Sequence, residues 1–374
     1  MPRFLPYLII GIAFAASASA IILSSTMIVS PTRIAIVTPH ASSTSPVLNS
    51  IATSTGIVST STPKKSTLPK TVSVSPTPTS APAPLPEPVP VLSVTEQNAL
   101  LDTAATTLRA ALVNILCYAP AKSGFSSISG SGIIIDPKGI ILTNAHIAQY
   151  FLLADRNVSC DIRSGGPATN RYEATLIYIS PLWLTLNATV LTETLPNGTG
   201  EYDFAFLAIS KSATSNPLPD AFPYLPLATM PPAISTPVVI ASYGAQFLES
   251  SQIRSSLFPT IVFGSIKDIF TFKMNTIDVL ALGGSVAAQE GSSGGGVADA
   301  SGKLVGTITT STVSGATDTR SLSAISASYI RAEYANETGR ALDLLLAKPT
   351  DTSINDFASQ IKTLEAIITA NLPN

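Results

Sequence analysis

The sequence predicts an all-β globular region of barrel or sandwich type, preceded by an apolar segment and a Pro/Ser/Thr-rich stretch. Three observations carry this. Short apolar runs rich in Val, Ile, Leu and Phe recur at roughly even spacing between about residues 113 and 308. Gly, Pro, Asn and Asp punctuate them, and helical spacing is confined to the flanks of that region.

The chain opens with an uncharged run from Phe4 to Val29, behind Arg3. At about 1.5 Å per residue it is long enough for a hydrocarbon core of roughly 30 Å. Residues 1–33 therefore read as a transmembrane signal-anchor. A cleaved signal peptide is the other reading, because Ala16-Ser17-Ala18 and Ser19-Ala20 resemble small-residue cleavage sites. Against it, apolar residues continue through Ile21, Ile22, Leu23, Met27, Ile28 and Val29. Either outcome exports the rest of the chain. Residues 34–92, dominated by Ser, Thr and Pro and ending in Ala83-Pro84-Leu85-Pro86-Glu87-Pro88-Val89-Pro90, cannot bury enough apolar surface to fold. They read as a disordered linker between membrane and globular domain.

Ser93-Val94-Thr95-Glu96 has the pattern of a capping box and opens a leading helix over 93–112. Strand-like runs come next at 113–117, 132–135, 140–143, 158–162, 172–177 and 204–209, with Asp136-Pro137-Lys138-Gly139 as a hairpin turn. A second set spans 237–241, 260–263, 276–280 and 304–308. The main domain is thus placed at 93–330. Helical spacing returns over 331–374, where Ile354, Phe357, Ile361, Leu364 and Ile368 form one apolar stripe. Such a stripe packs on its own domain or, alternatively, on a second copy in a homo-oligomer.

Composition narrows the function. Only 12% of residues are charged and the net charge is −2, so there is no basic field for nucleic acid. The two cysteines lack metal-site spacing, and there is no phosphate-loop pattern. Of the two histidines, His40 lies in the Ser/Thr/Pro tract, so no histidine cluster for a metal forms. No cofactor is expected.

The other histidine ends an apolar run in Asn144-Ala145-His146, and a serine sits in a glycine frame in Gly291-Ser292-Ser293-Gly294-Gly295-Gly296. A serine hydroxyl is a weak nucleophile until an imidazole takes its proton, and the imidazole needs a carboxylate to fix its tautomer. Asp203, at the mouth of the apolar run 204–209, is placed to supply it; Asp155 and Asp161 compete, though surface charge explains them more simply. The order His, Asp, Ser differs from that of α/β-hydrolases.

At these residues the chain resembles the trypsin-like serine proteases, above all the bacterial HtrA-type envelope proteases. Ser131-Gly132-Ile133-Ile134-Ile135-Asp136-Pro137-Lys138-Gly139-Ile140-Ile141-Leu142-Thr143-Asn144-Ala145-His146 is similar to that family's strand–turn–strand leading to the catalytic histidine. Tyr202-Asp203-Phe204-Ala205-Phe206-Leu207 is similar to its acid-bearing segment, and Gly291-Ser292-Ser293-Gly294-Gly295 to its Gly-x-Ser-Gly-Gly loop. The resemblance covers roughly residues 110 to 330. It implies two six-stranded antiparallel β-barrels with the site between them. It also implies His146 as base and then acid, Asp203 as orienter, Ser293 rather than Ser292 as nucleophile, and the N–H groups of Gly291 and Ser293 as oxyanion hole.

The resemblance has further implications. The strands carrying Cys117 and Cys160 would be neighbours, so an exported domain would join the two in a disulfide. The floor of the pocket for the residue before the cleaved bond would be Ala287, with Thr309, Thr310 and Ser311 as its wall. Small and uncharged, it would favour aliphatic side chains. The chain departs from the family in three ways: Gly296 stands where proline is common, which implies a more mobile loop; 181–200 is longer than usual; and no peptide-binding PDZ domain is recognisable after Tyr329. The function implied is a membrane-tethered serine endopeptidase of the cell envelope acting on polypeptides. The alternative is a catalytically inactive trypsin-like domain serving as a tethered binding or scaffold module.

Overall fold

A computed structural model describes residues 93–193, 198–273, 276–311, 315–370 and 372. The expected signal-anchor and linker lie outside the described residues, among which no helix is long and apolar enough to cross a membrane.

Helix α1 (Val94–Ala111) is capped by Ser93, whose side chain accepts from Glu96 N–H while Glu96 reaches back to Ser93 N–H. Leu112, expected as its last residue, instead begins β1. The leading helix gives its buried face, Leu101, Ala104, Leu108 and Ala111, to the interior.

Six strands close a barrel: β1 (Leu112–Tyr118), β2 (Ile128–Asp136), β3 (Ile140–Thr143), β4 (Ser159–Ser164), β5 (Thr169–Ile179) and β6 (Ala205–Ser212), in the order β1-β2-β3-β6-β5-β4. Gly132 in β2 faces Ile141, Val113 and Ile115, leaving no room for a side chain at the barrel centre. β1 and β4 run antiparallel with Cys117 opposite Cys160, and the two form the disulfide that was expected. Between β3 and β4 lie the one-turn α2 (Ala145–Ala148) and a 3₁₀ segment, Gln149–Arg156.

The second half corrects the expectation of a second six-stranded barrel. It is a curled seven-stranded sheet in the order β8-β7-β11-β12-β13-β10-β9. Its strands are β7 (Pro237–Ser242), β8 (Thr260–Ser265), β9 (Asp268–Phe270), β10 (Val279–Ala281), β11 (Gly296–Asp299), β12 (Leu304–Ser311) and β13 (Leu322–Ser326). The reason lies at Ile266 and Lys267. Ile266 N–H donates to Thr236 O beside β7, whereas Lys267 N–H donates to Ala281 O on β10. One length of chain is thus split into two edge strands that serve opposite ends of the sheet.

Arg163 on β4 ties the halves together. Its guanidinium is buried and donates to Asn114 Oδ1 (3.2 Å), Ala168 O (2.6 Å), Ile253 O (2.9 Å) and Arg254 O (2.8 Å). The last two carbonyls close helix α4 (Ser250–Ser255), where a cation also meets the negative end of the helix dipole.

The segment 181–200 contains helix α3 (Pro181–Leu186), capped by Ser180 and burying Trp183. Helices α5 (Ala327–Thr338), α6 (Leu342–Ala347), α7 (Thr350–Ala358) and α8 (Ile361–Thr369) come after β13. The apolar stripe is divided between α7 and α8. Phe357, Leu364 and Ile368 are buried as α7 packs on β5 and β6 and α8 on α3.

The disulfide closes a loop with a sequence separation of 43. Cys160→Ser is expected to lower unfolding free energy by about 3–4 kcal/mol, mostly by freeing the unfolded chain. Urea titration checks this; an unmoved midpoint would refute it.

Candidate active site

β3 and β6 pair with Thr143 opposite Ala205, which fixes the spacing of the first two candidate residues, His146 and Asp203. Asn144 follows β3 and stands at the N-cap of α2; its Nδ2 donates to Asp203 O (2.8 Å), holding the acid-bearing segment against the helix. His146 N–H donates to Asp203 Oδ1 (3.0 Å), and His146 Nδ1 lies 2.8 Å from Asp203 Oδ2. Because a carboxylate there accepts, the ring carries its proton on Nδ1 and leaves the Nε2 lone pair free. Thr309 Oγ1, from β12, donates to the same Oδ2 (2.8 Å). Asp203 is 5% exposed and receives donors from both halves of the fold.

A second layer braces the acid. Tyr202 adopts φ 58°, an uncommon conformation for a non-glycine residue, and its N–H donates to Tyr329 Oη (3.0 Å) on α5. Lys273 pairs with the buried Glu333 (2.7 Å) and lies 5.3 Å over the Tyr202 ring. The hydrogen bond to Glu333 holds the Lys273 ammonium above its ordinary pKa, and burial pushes the Tyr329 phenol up. Glu337 accepts from Tyr178 Oη (2.6 Å) and Ser180 Oγ (2.7 Å), with burial raising its carboxyl.

Ser293 stands in the turn before β11. Ser131, fully buried on β2, organises that turn. Its N–H donates to Ser293 O (2.7 Å) and its hydroxyl donates to Gly291 O (2.8 Å). The hydroxyl also accepts from Tyr243 N–H (2.8 Å), and Ser131 O accepts from Thr143 Oγ1 (2.7 Å). Gly294 has φ 83°, and a Cβ there would overlap Ser131 O. Glycine at this place is therefore a packing requirement. Gly294 N–H donates to Ile308 O (2.9 Å), tying the loop to β12 as well.

The two serines differ in placement. Ser292 is 1% exposed and its Oγ takes a hydrogen bond from Ser242 Oγ (3.1 Å). Ser293 is half-buried, and its hydroxyl has no hydrogen-bond partner among the described residues, His146 included. In sites without substrate such bonds are often long and tighten only in the complex.

The peptide before Gly291 is trans, so its C=O and N–H point to opposite sides. Glu290 O accepts from Ala245 N–H (2.8 Å), which turns Gly291 N–H away from the loop after β7. Neither Gly291 N–H nor Ser293 N–H has an acceptor among the described residues.

The competing acids are engaged elsewhere. Asp155 pairs with Lys362 of α8, and Asp161 accepts from Tyr118 Oη (3.3 Å) and Asn170 Nδ2 (3.0 Å). Ala287 and Ala288 are fully buried, and the Thr309 hydroxyl is spent on Asp203. The side chains of Thr310 and Ser311 lie outside the described residues. Gly296, for which a mobile loop was expected, is held in the ladder between Ala241 and Thr307; a Cβ there would press on Ile133, Leu304 and Leu108 of α1. Among the described residues no group of His, Cys, Asp and Glu could hold a metal ion.

Residues 130–306 match the family described as the trypsin-like peptidase domain. Over these residues the chain is similar to that domain. No curated protein matches the sequence. Among solved structures, the chain is similar to the Rv3671c protease of M. tuberculosis in its inactive form, at 19% identity and a TM-score of 0.40, covering 64% of this chain and 96% of that one. The active form of the same protease is similar at 19% identity and a TM-score of 0.42, covering 69% and 96%.

Three contacts that shape the candidate site were missed from sequence: those of Ser131, Thr309 as a donor to Asp203, and Asn144 as a clamp on its backbone. Ser131 opens the strand–turn–strand motif that leads to His146, but its partners lie up to 160 residues away.

Replacing Ser131 by Ala would leave Gly291 O and Tyr243 N–H without their partner. With about 1–3 kcal/mol for each buried group left unmet, Ser131→Ala is expected to destabilise the domain by roughly 2–4 kcal/mol. Chemical denaturation measures this, and a change under about half a kcal/mol would contradict it.

Proposed function

We propose that the chain is a membrane-tethered serine endopeptidase of the cell envelope that cleaves polypeptides through His146, Asp203 and Ser293. The observation that carries this reading is the His146–Asp203 pair: one buried carboxylate meets the imidazole at Nδ1 and the backbone N–H of the same histidine, with Nε2 left free. A trypsin-like domain with such a pair acts on peptide bonds by a known logic. As Ser293 Oγ attacks the scissile carbonyl, His146 Nε2 takes its proton, and Asp203 stabilises the resulting imidazolium. The tetrahedral oxyanion is received by the Gly291 and Ser293 N–H groups, each worth a few kcal/mol in such sites. His146 then protonates the leaving amine, and a water, activated by the same imidazole, releases the acyl group from Ser293.

The tether rests on the sequence before residue 93, and export is supported by the Cys117–Cys160 bridge, a bond that persists in oxidising compartments. The absence of a Ser293–His146 hydrogen bond keeps one alternative in play, a silent trypsin-like module that binds without cleaving. A fluorophosphonate probe separates them, since only an activated Ser293 is labelled.

Ser293→Ala and His146→Ala are each expected to abolish casein proteolysis, with Ser292→Ala retaining most of it. Asp203→Asn should cost on the order of 10⁴ in rate by stabilising the wrong tautomer, the loss known for the same change in a chymotrypsin-type triad. Full activity in Ser293→Ala would end the assignment.

For specificity, we infer from the buried Ala287 and Ala288 a pocket suited to Val, Ala or Leu before the cleaved bond. Each methylene is worth about 1–3 kcal/mol of discrimination. Peptide-library profiling reads this directly, and a dominant preference for Arg or Lys would overturn it.

A further inference from the structure

Arg320 lies in the connection between β12 and β13, just after a 3₁₀ turn at Thr317–Thr319. It is 5% exposed, and no carboxylate among the described residues pairs with it. A guanidinium is a permanent cation with five N–H donors in a rigid fork, and burying one is costly unless those donors are met. Here three separate loops meet four of the five. Nε (3.0 Å) and Nη2 (2.9 Å) both donate to Gly315 O in its own loop. Nη1 donates to Ala288 O (2.8 Å) in the loop that leads to Ser293, and to Gln246 Oε1 (2.6 Å) in the loop after β7. The guanidinium also lies 5.7 Å from the centre of the Phe247 ring.

The same three loops pack on one another around it. A Cβ at Gly284 would overlap the backbone of Asp318, and one at Gly244 would overlap the Gln289 side chain. Two covalent neighbours of these contacts bear on the proposed oxyanion donors. Ala245, next to Gln246, donates to Glu290 O (2.8 Å) and so sets the orientation of the peptide that carries Gly291 N–H. Ala288 lies five residues before Ser293, and its neighbour Gln289 accepts from Ser292 N–H (3.2 Å). Arg320 therefore grips the segment 288–293 directly at Ala288 and indirectly through the 243–248 loop.

We propose that Arg320 is a positioning residue that holds the loop bearing the oxyanion donors in its working geometry, by clamping three loops with one guanidinium. The proposal rests on the serine-peptidase reading of the same site. Carbonyl acceptors suit this role, because with no carboxylate to satisfy it at one point the fork distributes its donors over all three loops.

The test uses the full chain with a series of peptide substrates. Arg320→Ala is expected to lower kcat by roughly 10- to 100-fold, on the scale of losing part of an oxyanion donor's contribution, with KM nearly unchanged and the same ranking of substrates. Millimolar guanidinium ion should restore part of that loss in Arg320→Ala and none in the wild type. Gln246→Leu removes one arm, leaves the cation in place and should give a smaller fall in kcat. It carries the test if Arg320→Ala does not fold. Hydrogen exchange over 286–293, which needs no turnover, should quicken in either variant. Unchanged exchange there overturns the clamp whether or not the wild type cleaves peptides. A reordered substrate preference overturns it in favour of a pocket charge read by the substrate, and a loss that tracks melting temperature without rescue overturns it in favour of bulk stability. Failure of the fluorophosphonate probe to label Ser293 in the wild type, with exchange still quickened in the variants, would instead remove the peptidase reading and leave the clamp standing.

Discussion

The hydroxyl and backbone of one buried serine on β2 hold the site together. Ser131 satisfies Ser293 O, Gly291 O, Tyr243 N–H and Thr143 Oγ1 at once. One of those partners is the backbone of the proposed nucleophile itself, one lies two residues before it, one lies just past β7 of the curled sheet, and one closes the strand that leads to His146. A catalytic serine in a loop is only as well placed as the loop, and loops carry unpaired backbone groups that need partners. Here the partners come from the opposite half of the molecule, so the seam between barrel and sheet and the geometry of the site are the same set of hydrogen bonds.

The acid is managed similarly. Asp203 is bound by His146 from the barrel and by Thr309 from the sheet, and Asn144 anchors its backbone carbonyl. Behind it, α5 contributes Tyr329 and Glu333, which brace Tyr202 in a conformation that costs a non-glycine residue energy. The helix after the last strand thus acts on the site through Tyr202, although it contributes nothing to the proposed chemistry.

His146, Asp203 and Ser293, the residues of the proposed triad, stood out in the sequence because each sits where a local pattern changes: the end of an apolar run, the start of one, and a glycine frame. The cysteine pair was legible only through the family resemblance. The barrel strands showed as apolar runs, yet their ends were mostly read short by a few residues because edges of a ladder are set by the partner strand. The break at Ile266 and Lys267 left no local mark, since hydrophobic alternation reports a strand and not its neighbour. Ser131, Thr309 and Arg320 were invisible for the same reason. Their partners lie 112 and 160, 106, and 32 and 74 residues away. The nearest thing to a signal was Arg320 itself, a single charge followed by ten uncharged residues from Ser321 to Ile330.

The curled sheet has a consequence for how the molecule behaves among its neighbours. An open sheet offers two rows of unpaired backbone groups, each a template on which another chain can add a strand. Here both outer strands come from one stretch of chain, β8 running into β9, and β9 is only three residues long. One of the two templates is thus nearly abolished by its shortness, while the other, β8, runs into it through Ile266 and Lys267. A single short bend leaves the sheet with one edge of six residues, β8, and one of three, β9, on which another chain could add.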